Sequence, residues 1–187
     1  DYKSGVKSAN DNNPEKAIKY FEQAVELYPT FSLAELALAD QYSKVGRLAD
    51  AAVAYKKVLE AKPDAAAAYR GLGIVLVKQK NFKDALPSLQ HSVALDRTSA
   101  DGFLFLGFTE MQTGDYEKAE NDLLEAFKMS KSPAAHLYLA DLYTREKALQ
   151  KAIGQLQAFV DERPDDPRVP KVREAIAKLH KQMAPQK

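Results

Sequence analysis

An all-α solenoid of stacked antiparallel helix pairs is predicted by three observations. The first is a capped amphipathic stretch, NPEKAIKYFEQAVELYP over residues 13–29. Asn13 can cap its N-terminus, and Pro14 sits in the first turn, where a missing N–H is harmless. Ala17, Ile18, Phe21, Ala24, Val25 and Tyr28 recur at helical spacing, and Pro29 stops the helix. The second is its recurrence: 34 positions separate Ala17 from Ala51 and Pro29 from Pro63. The third is another helical pattern ahead of each such alanine, which makes every copy a pair.

The period carries Ala17 to Ala51, Ala85 and Ala119, and one residue early to Ala152. Four residues beyond stand Phe21, Tyr55, Leu89, Leu123 and Leu156. A small residue lets two helices approach, and a large one a turn later fills the space between them. In the leading helices, Leu38-Ala39, Leu72-Gly73, Leu106-Gly107 and Leu139-Ala140 share a register, with Tyr42, Leu76 and Tyr143 three residues on. Glu110 takes that place in the fourth copy and departs from the pattern. Breakers separate the two helices at Val45-Gly46-Arg47, Lys80-Asn81 and Thr113-Gly114-Asp115.

The two ends and one proline carry separate expectations. Ser4, Gly5 and Ser8 stand where apolar residues belong, so the first helix should fray. Pro87, inside a helix, predicts a kink or a late start. Asp165-Asp166-Pro167 reads as the N-cap and first turn of a final helix with Val169, Val172, Ile176, Leu179 and Met183 on one face. Residues 184–187 are expected to be disordered.

This pattern resembles the tetratricopeptide repeat family over almost the whole chain. The best copies run Leu38-Ala39, Tyr42, Ala51, Tyr55, Pro63, and Leu72-Gly73 through Ala85. Glu35, Tyr69, Phe103 and His136 fill the position where the family often has tryptophan. The resemblance implies a right-handed superhelix divided as 1–29 (first repeat, its first helix clipped), 30–65, 66–99, 100–132, 133–166 and a capping helix over 167–183.

Composition excludes several functions. Lys plus Arg number 27 against 26 Asp plus Glu, a net charge of +1 that argues against a nucleic-acid or anionic-membrane binder. No run is long and apolar enough to span a membrane. The chain has no cysteine, so thiol chemistry, disulfides and thiolate metal sites are excluded, while a cytoplasmic and a periplasmic setting both fit. It begins at Asp1 without methionine and reads as a processed or excised piece.

No catalytic constellation, metal site or cofactor loop is legible. His91, His136 and His180 lie on different helices. His91 is expected at a rim, His136 packed, and Asp165 and Asp166 as capping residues. Gly71 and Gly73 lie within a helix and do not open one, as a phosphate loop would.

The resemblance implies instead a non-enzymatic scaffold whose first helices line a concave groove for a peptide or helical segment of a protein partner. The family's groove positions project onto Leu33, Leu36, Asp40, Lys44, Arg70, Ile74, Val77, Lys78, Leu104, Phe108, Met111, Gln112, Leu137, Asp141 and Arg145. Leu36, Ile74, Leu104, Phe108 and Met111 would form an apolar floor, and charges of both signs a rim. The competing expectation is that tight curvature packs these side chains on neighbouring first helices. The lysine–asparagine clamp of chaperone-tail binders in this family is absent, since Tyr2, Val6, Ala37, Ala67 and Gly71 occupy its places. An alternative function is the repeat arm of a larger enzyme or envelope protein, used for positioning or self-association. The chain by itself is expected to be a monomer.

Overall fold

The computed structural model describes residues 1–183; the tail expected to be disordered, 184–187, lies outside them. Among the described residues there are eleven α-helices and no strand. They are α1 (Tyr2–Asn10), α2 (Pro14–Leu27), α3 (Ser32–Lys44), α4 (Leu48–Ala61), α5 (Ala66–Lys78), α6 (Phe82–Leu95), α7 (Ala100–Thr113), α8 (Tyr116–Ser130), α9 (Pro133–Arg145), α10 (Leu149–Glu162) and α11 (Val169–Met183). They fall into two compact units, Asp1–Arg97 and Thr98–Lys187. The first holds three helix pairs; the second holds two pairs and α11.

Within each unit a helix packs on the next in sequence, and first helices also touch, α1 on α3, α3 on α5, and α7 on α9. The core follows the period. Ala17, Ala51, Ala85, Ala119 and Ala152 are fully buried, and Phe21, Tyr55, Leu89, Leu123 and Leu156 are buried beside them. In the first, third and fourth pairs the first helix meets that large side chain with a glycine: Gly5, Gly73 and Gly107. At Gly73 even one Cβ would stand 2.5 Å from Leu89 Cγ, well inside contact distance.

The same device holds α1, where fraying was expected. The missing side chain of Gly5 admits the Phe21 ring, which a Cβ would meet at 2.5 Å. Tyr2 then packs its ring on Phe21 and Phe31, with centroids 5.7 and 4.9 Å away. The poor stripe of small residues is thus the shape of the contact.

The turn inside every pair is built alike. Asn12, Gly46, Lys80, Gly114 and Lys147 all have positive φ, between 55° and 94°. They follow the repeat register. Glycine adopts this left-handed conformation without a steric cost, whereas the two lysines hold it against one.

Caps agree with the sequence at several ends. Asn13 Oδ1 accepts the Lys16 N–H at 3.2 Å, and Ser99 Oγ accepts that of Gly102 at 3.1 Å. The expectations at Pro87 and at the last helix fare differently. Of the two outcomes expected at Pro87, a kink or a late start, the late start does not occur: helix α6 starts at Phe82, and the exposed proline lacks the N–H that would bond the Lys83 carbonyl. Helix α11 starts at Val169 and not at Pro167. Asp166 spends its carboxylate on Arg168 instead, accepting the backbone N–H at 2.9 Å and the guanidinium at 2.8 Å. Those bonds hold its carboxyl down at about 2 and fix a turn where the helix would have begun.

The packing of Gly73 on Leu89 sets a test. Gly73→Val should destabilise the protein by about 2–3 kcal/mol, because overpacking outweighs the small helix-propensity gain. A lower urea midpoint reports it.

Candidate partner-binding face

The projected residues fall on α3 and α5 in the first unit, and on α7 and α9 in the second. In the first unit, α3 and α5 bring eight of the projected residues together. Leu33 is 54% exposed, while Leu36, Ile74 and Val77 are half-buried. Asp40 accepts the Tyr55 hydroxyl at 2.6 Å. Desolvation pushes the Asp40 carboxyl up, and the Tyr55 bond and the Arg70 guanidinium pull it back. Burial, then the Asp40 carboxylate, push the Tyr55 hydroxyl up in turn.

Two lysines on this side reach back to the preceding pair. Lys44 Nζ donates to Asn12 Oδ1 at 2.8 Å, and Lys78 Nζ donates to the Ser43 carbonyl and hydroxyl at 3.4 and 3.3 Å. They staple neighbouring turns and leave the aliphatic strip of Leu33, Leu36, Ile74 and Val77 between charged groups.

In the second unit the floor differs from the projection. Met111 is 1% exposed, and Leu104 is likewise buried; both belong to the core with Leu123, Leu139 and Tyr143. Helix α7 carries Phe103, Leu104, Phe105, Leu106, Phe108 and Met111, apolar on nearly every side, and such a helix sinks into its neighbours. Phe108 remains half-buried, its ring 4.9 Å from that of Tyr138. Gln112 is half-buried, and Asp141 and Arg145 pair with each other at 3.1 Å.

Leu137 and Asp141 open onto a hollow of about 350 Å³ completed by Ala140, Thr144, Lys178 and Leu179. The α11 residues were missed because capping was the only role considered for that helix. Their signal was available: Ala175, Lys178, Leu179 and Gln182 share one helical face and all line the hollow. Its floor is aliphatic, and its rim offers one carboxylate and one ammonium group.

The histidines take structural places. His91 is exposed, its Nδ1–H donates to the Pro87 carbonyl at 2.8 Å, and its ring stacks on Tyr69. His136 is buried, with Nδ1 2.7 Å from Gln155 Oε1 and its ring against Phe127. His180 is exposed on α11. Among the described residues no group of three or more His, Asp or Glu could hold a metal ion, and no helix is long and apolar enough to cross a membrane.

The departure at Glu110 has a physical content that the sequence pattern did not supply. Glu110 is only 3% exposed, and its carboxyl shares a hydrogen bond with that of Asp122 on α8. Burial first, then the Asp122 charge and bond, push Glu110 up to about 8; Asp115 adds to the rise and Lys118 opposes it. Burial also raises Asp122. The pair holds a proton in the folded protein at neutral pH.

Two family models described as tetratricopeptide repeat match the chain, one over residues 36–100 and 107–167, the other over 9–31. They describe a repeat and not a catalytic family. The mitochondrial import receptor subunit TOM70 of Rattus norvegicus is 26% identical over 163 residues, covering 82% of this chain and 26% of that protein; the TOM70 of Homo sapiens matches to the same extent. The chain thus spans about a quarter of the length of the curated relatives it matches. Among solved structures, MamA residues 41 to the end from Desulfovibrio magneticus RS-1 superposes with a TM-score of 0.79 at 22% identity, covering 87% of this chain and 93% of that one. YrrB, described as a TPR protein with an unusual peptide-binding site, gives 0.76 at 22% identity, covering 91% and 88%. At such identities the likeness is one of fold.

The Glu110–Asp122 pair makes stability depend on pH. Below about pH 4.5 both folded and unfolded chains carry the Glu110 proton; from there to about pH 8 only the folded chain keeps it. Folding therefore takes up a proton in that window, and stability falls as pH rises through it. Glu110→Gln, whose amide can donate to Asp122, should flatten this dependence and add about 1–3 kcal/mol at pH 8. Thermal unfolding of both proteins at pH 5 and pH 8 measures it.

Proposed function

The chain belongs to the tetratricopeptide repeat family, and on that premise we propose that it binds a peptide or helical segment of a partner protein along the exposed side of its first helices. Repeats of this kind make it a protein–protein interaction scaffold; the place of binding and the form of the ligand are the proposal. What carries it is the hollow of the second unit. Leu137, Ala140 and Leu179 offer an aliphatic floor, bracketed by Lys178 and by Asp141 with its partner Arg145. An aliphatic anchor of a bound segment would fill the floor, and a polar flank on either side would find a charge.

The aliphatic strip of the first unit supports the same reading. Leu33 exposes more than half of its surface on α3 beside half-buried Leu36. Among the relatives, TOM70 is an import receptor subunit and YrrB has a peptide-binding site, so the fold is compatible with holding protein segments. Met111 and Leu104 have no part in it, because their side chains are spent on the core.

Half-buried Leu137 and exposed Leu33 allow a test without opening the core. A photo-reactive amino acid at Leu137, and separately at Leu33, should crosslink a partner whose contact segment is then made as a purified peptide. Leu137→Asp together with Phe108→Asp should weaken that peptide by about tenfold or more, as loss of a central anchor does. Circular dichroism confirms that the variant is folded. Unchanged affinity in the folded variant rules out the proposed face.

A further inference from the structure

The register position held by Glu35, Tyr69 and His136 varies in chemistry from pair to pair. In the fifth pair it is His136, which bridges α8 and α10 by packing on Phe127 and bonding Gln155. In the third pair it is Tyr69, whose ring lies on His91 of α6. In the second pair it is Glu35, and a carboxylate is too small to do the same.

The space between α2 and α4 stays open as a result. Two hollows, of about 350 and 460 Å³, meet there and share Val25, Glu35 and Lys57. Leu38 lies at the bottom, and Val53 is 56% exposed along one wall. The Glu35 side chain is only 8% exposed, and its nearest cation, Lys57 Nζ, stands at 3.7 Å, beyond hydrogen-bond distance.

The charge of this furrow is one-sided. Glu22, Glu26 and Glu60 line it besides Glu35, and Lys57 is the cation among its lining residues. Asp50 also lines it but is neutralised by Arg47 at 2.7 Å, whose guanidinium lies over Tyr42. Glu22 accepts the Tyr42 hydroxyl at 2.7 Å. Carboxylates thus collect on an aliphatic cleft in a chain whose formal charge is only +1.

We propose that the α2–α4 furrow is a second interaction surface, which takes a lysine- or arginine-rich amphipathic segment of a partner protein. Its aliphatic side chains lie on Val25, Leu38 and Val53, its cations meet Glu26 and Glu60, and one cation reaches Glu35. Charge complementarity selects this occupant: an acidic segment is repelled, and a purely apolar one leaves the carboxylates facing it unpaired. The surface is built by α2 and α4 over Glu35 and Leu38 of α3, whereas Leu137 is on α9.

A labelled amphipathic peptide of lysine and leucine, with a counterpart in which glutamate replaces lysine, tests this by fluorescence anisotropy at about 0.15 M salt, where distant surface charges are screened. The lysine peptide should bind and the glutamate peptide should not. Glu26→Lys with Glu60→Lys should weaken binding by about tenfold or more, and Glu35→Gln by a smaller factor. Glu117→Lys with Glu174→Lys, which changes the net charge equally elsewhere, should leave it unchanged, as should Leu137→Asp. The methyl resonances of Val25 and Val53 should shift on titration. No binding of the lysine peptide, an equal loss in both charge-reversal variants, or unmoved Val25 and Val53 methyls would each overturn the proposal.

Discussion

The contact between a glycine on a first helix and a large residue on its partner, made in three of the pairs, sets the distance between the two, and the packing of each pair depends on that distance. Gly5 against Phe21 and Gly73 against Leu89 leave no room for even a methyl group. Once the pair is that close, the period-34 alanines can vanish into the interior and the next pair can settle on the same surface. Helix propensity alone would prefer alanine to glycine at these sites by up to about 1 kcal/mol. Packing overrides it.

Because this contact repeats in sequence, nearly all of the fold was legible. The alanine and leucine registers placed the helices, and the breakers fell on the left-handed turn residues. Legibility ended where one register position meets two different surroundings. Leu104 and Met111 project onto the candidate face, but on a helix as apolar as α7 the longer side chains turn into the core. Helix α1 was underrated because small residues were read as a weak stripe, when Phe21 required them to be small. The start of α11 was misplaced because a side chain–guanidinium pair competed with a cap, and the Asp-Asp-Pro string fits either.

The candidate site was legible in outline only. Register says which side of a helix a residue occupies; it does not say what covers that side. The hollow beside Leu137 needs the face of α11 that carries Lys178, and a capping helix offers two faces to choose from. Glu110 was visible as a departure, yet its meaning needed Asp122, twelve residues on in sequence but across the helix pair. A buried carboxyl pair of this kind costs stability at neutral pH and is tolerated because the proton stays with it.

The five left-handed turn residues carry a consequence for the order in which the chain acquires structure. Each turn closes a helix pair over about thirty residues or fewer, and within each unit no described helix packs on one more than two places away in sequence. Contacts so local are fast to form. During synthesis the first pair has everything it needs, Tyr2 through Phe31 included, before the ribosome has reached the second unit. Within each unit the growing chain therefore presents a finished surface, the last completed second helix, for the next helix to be laid upon.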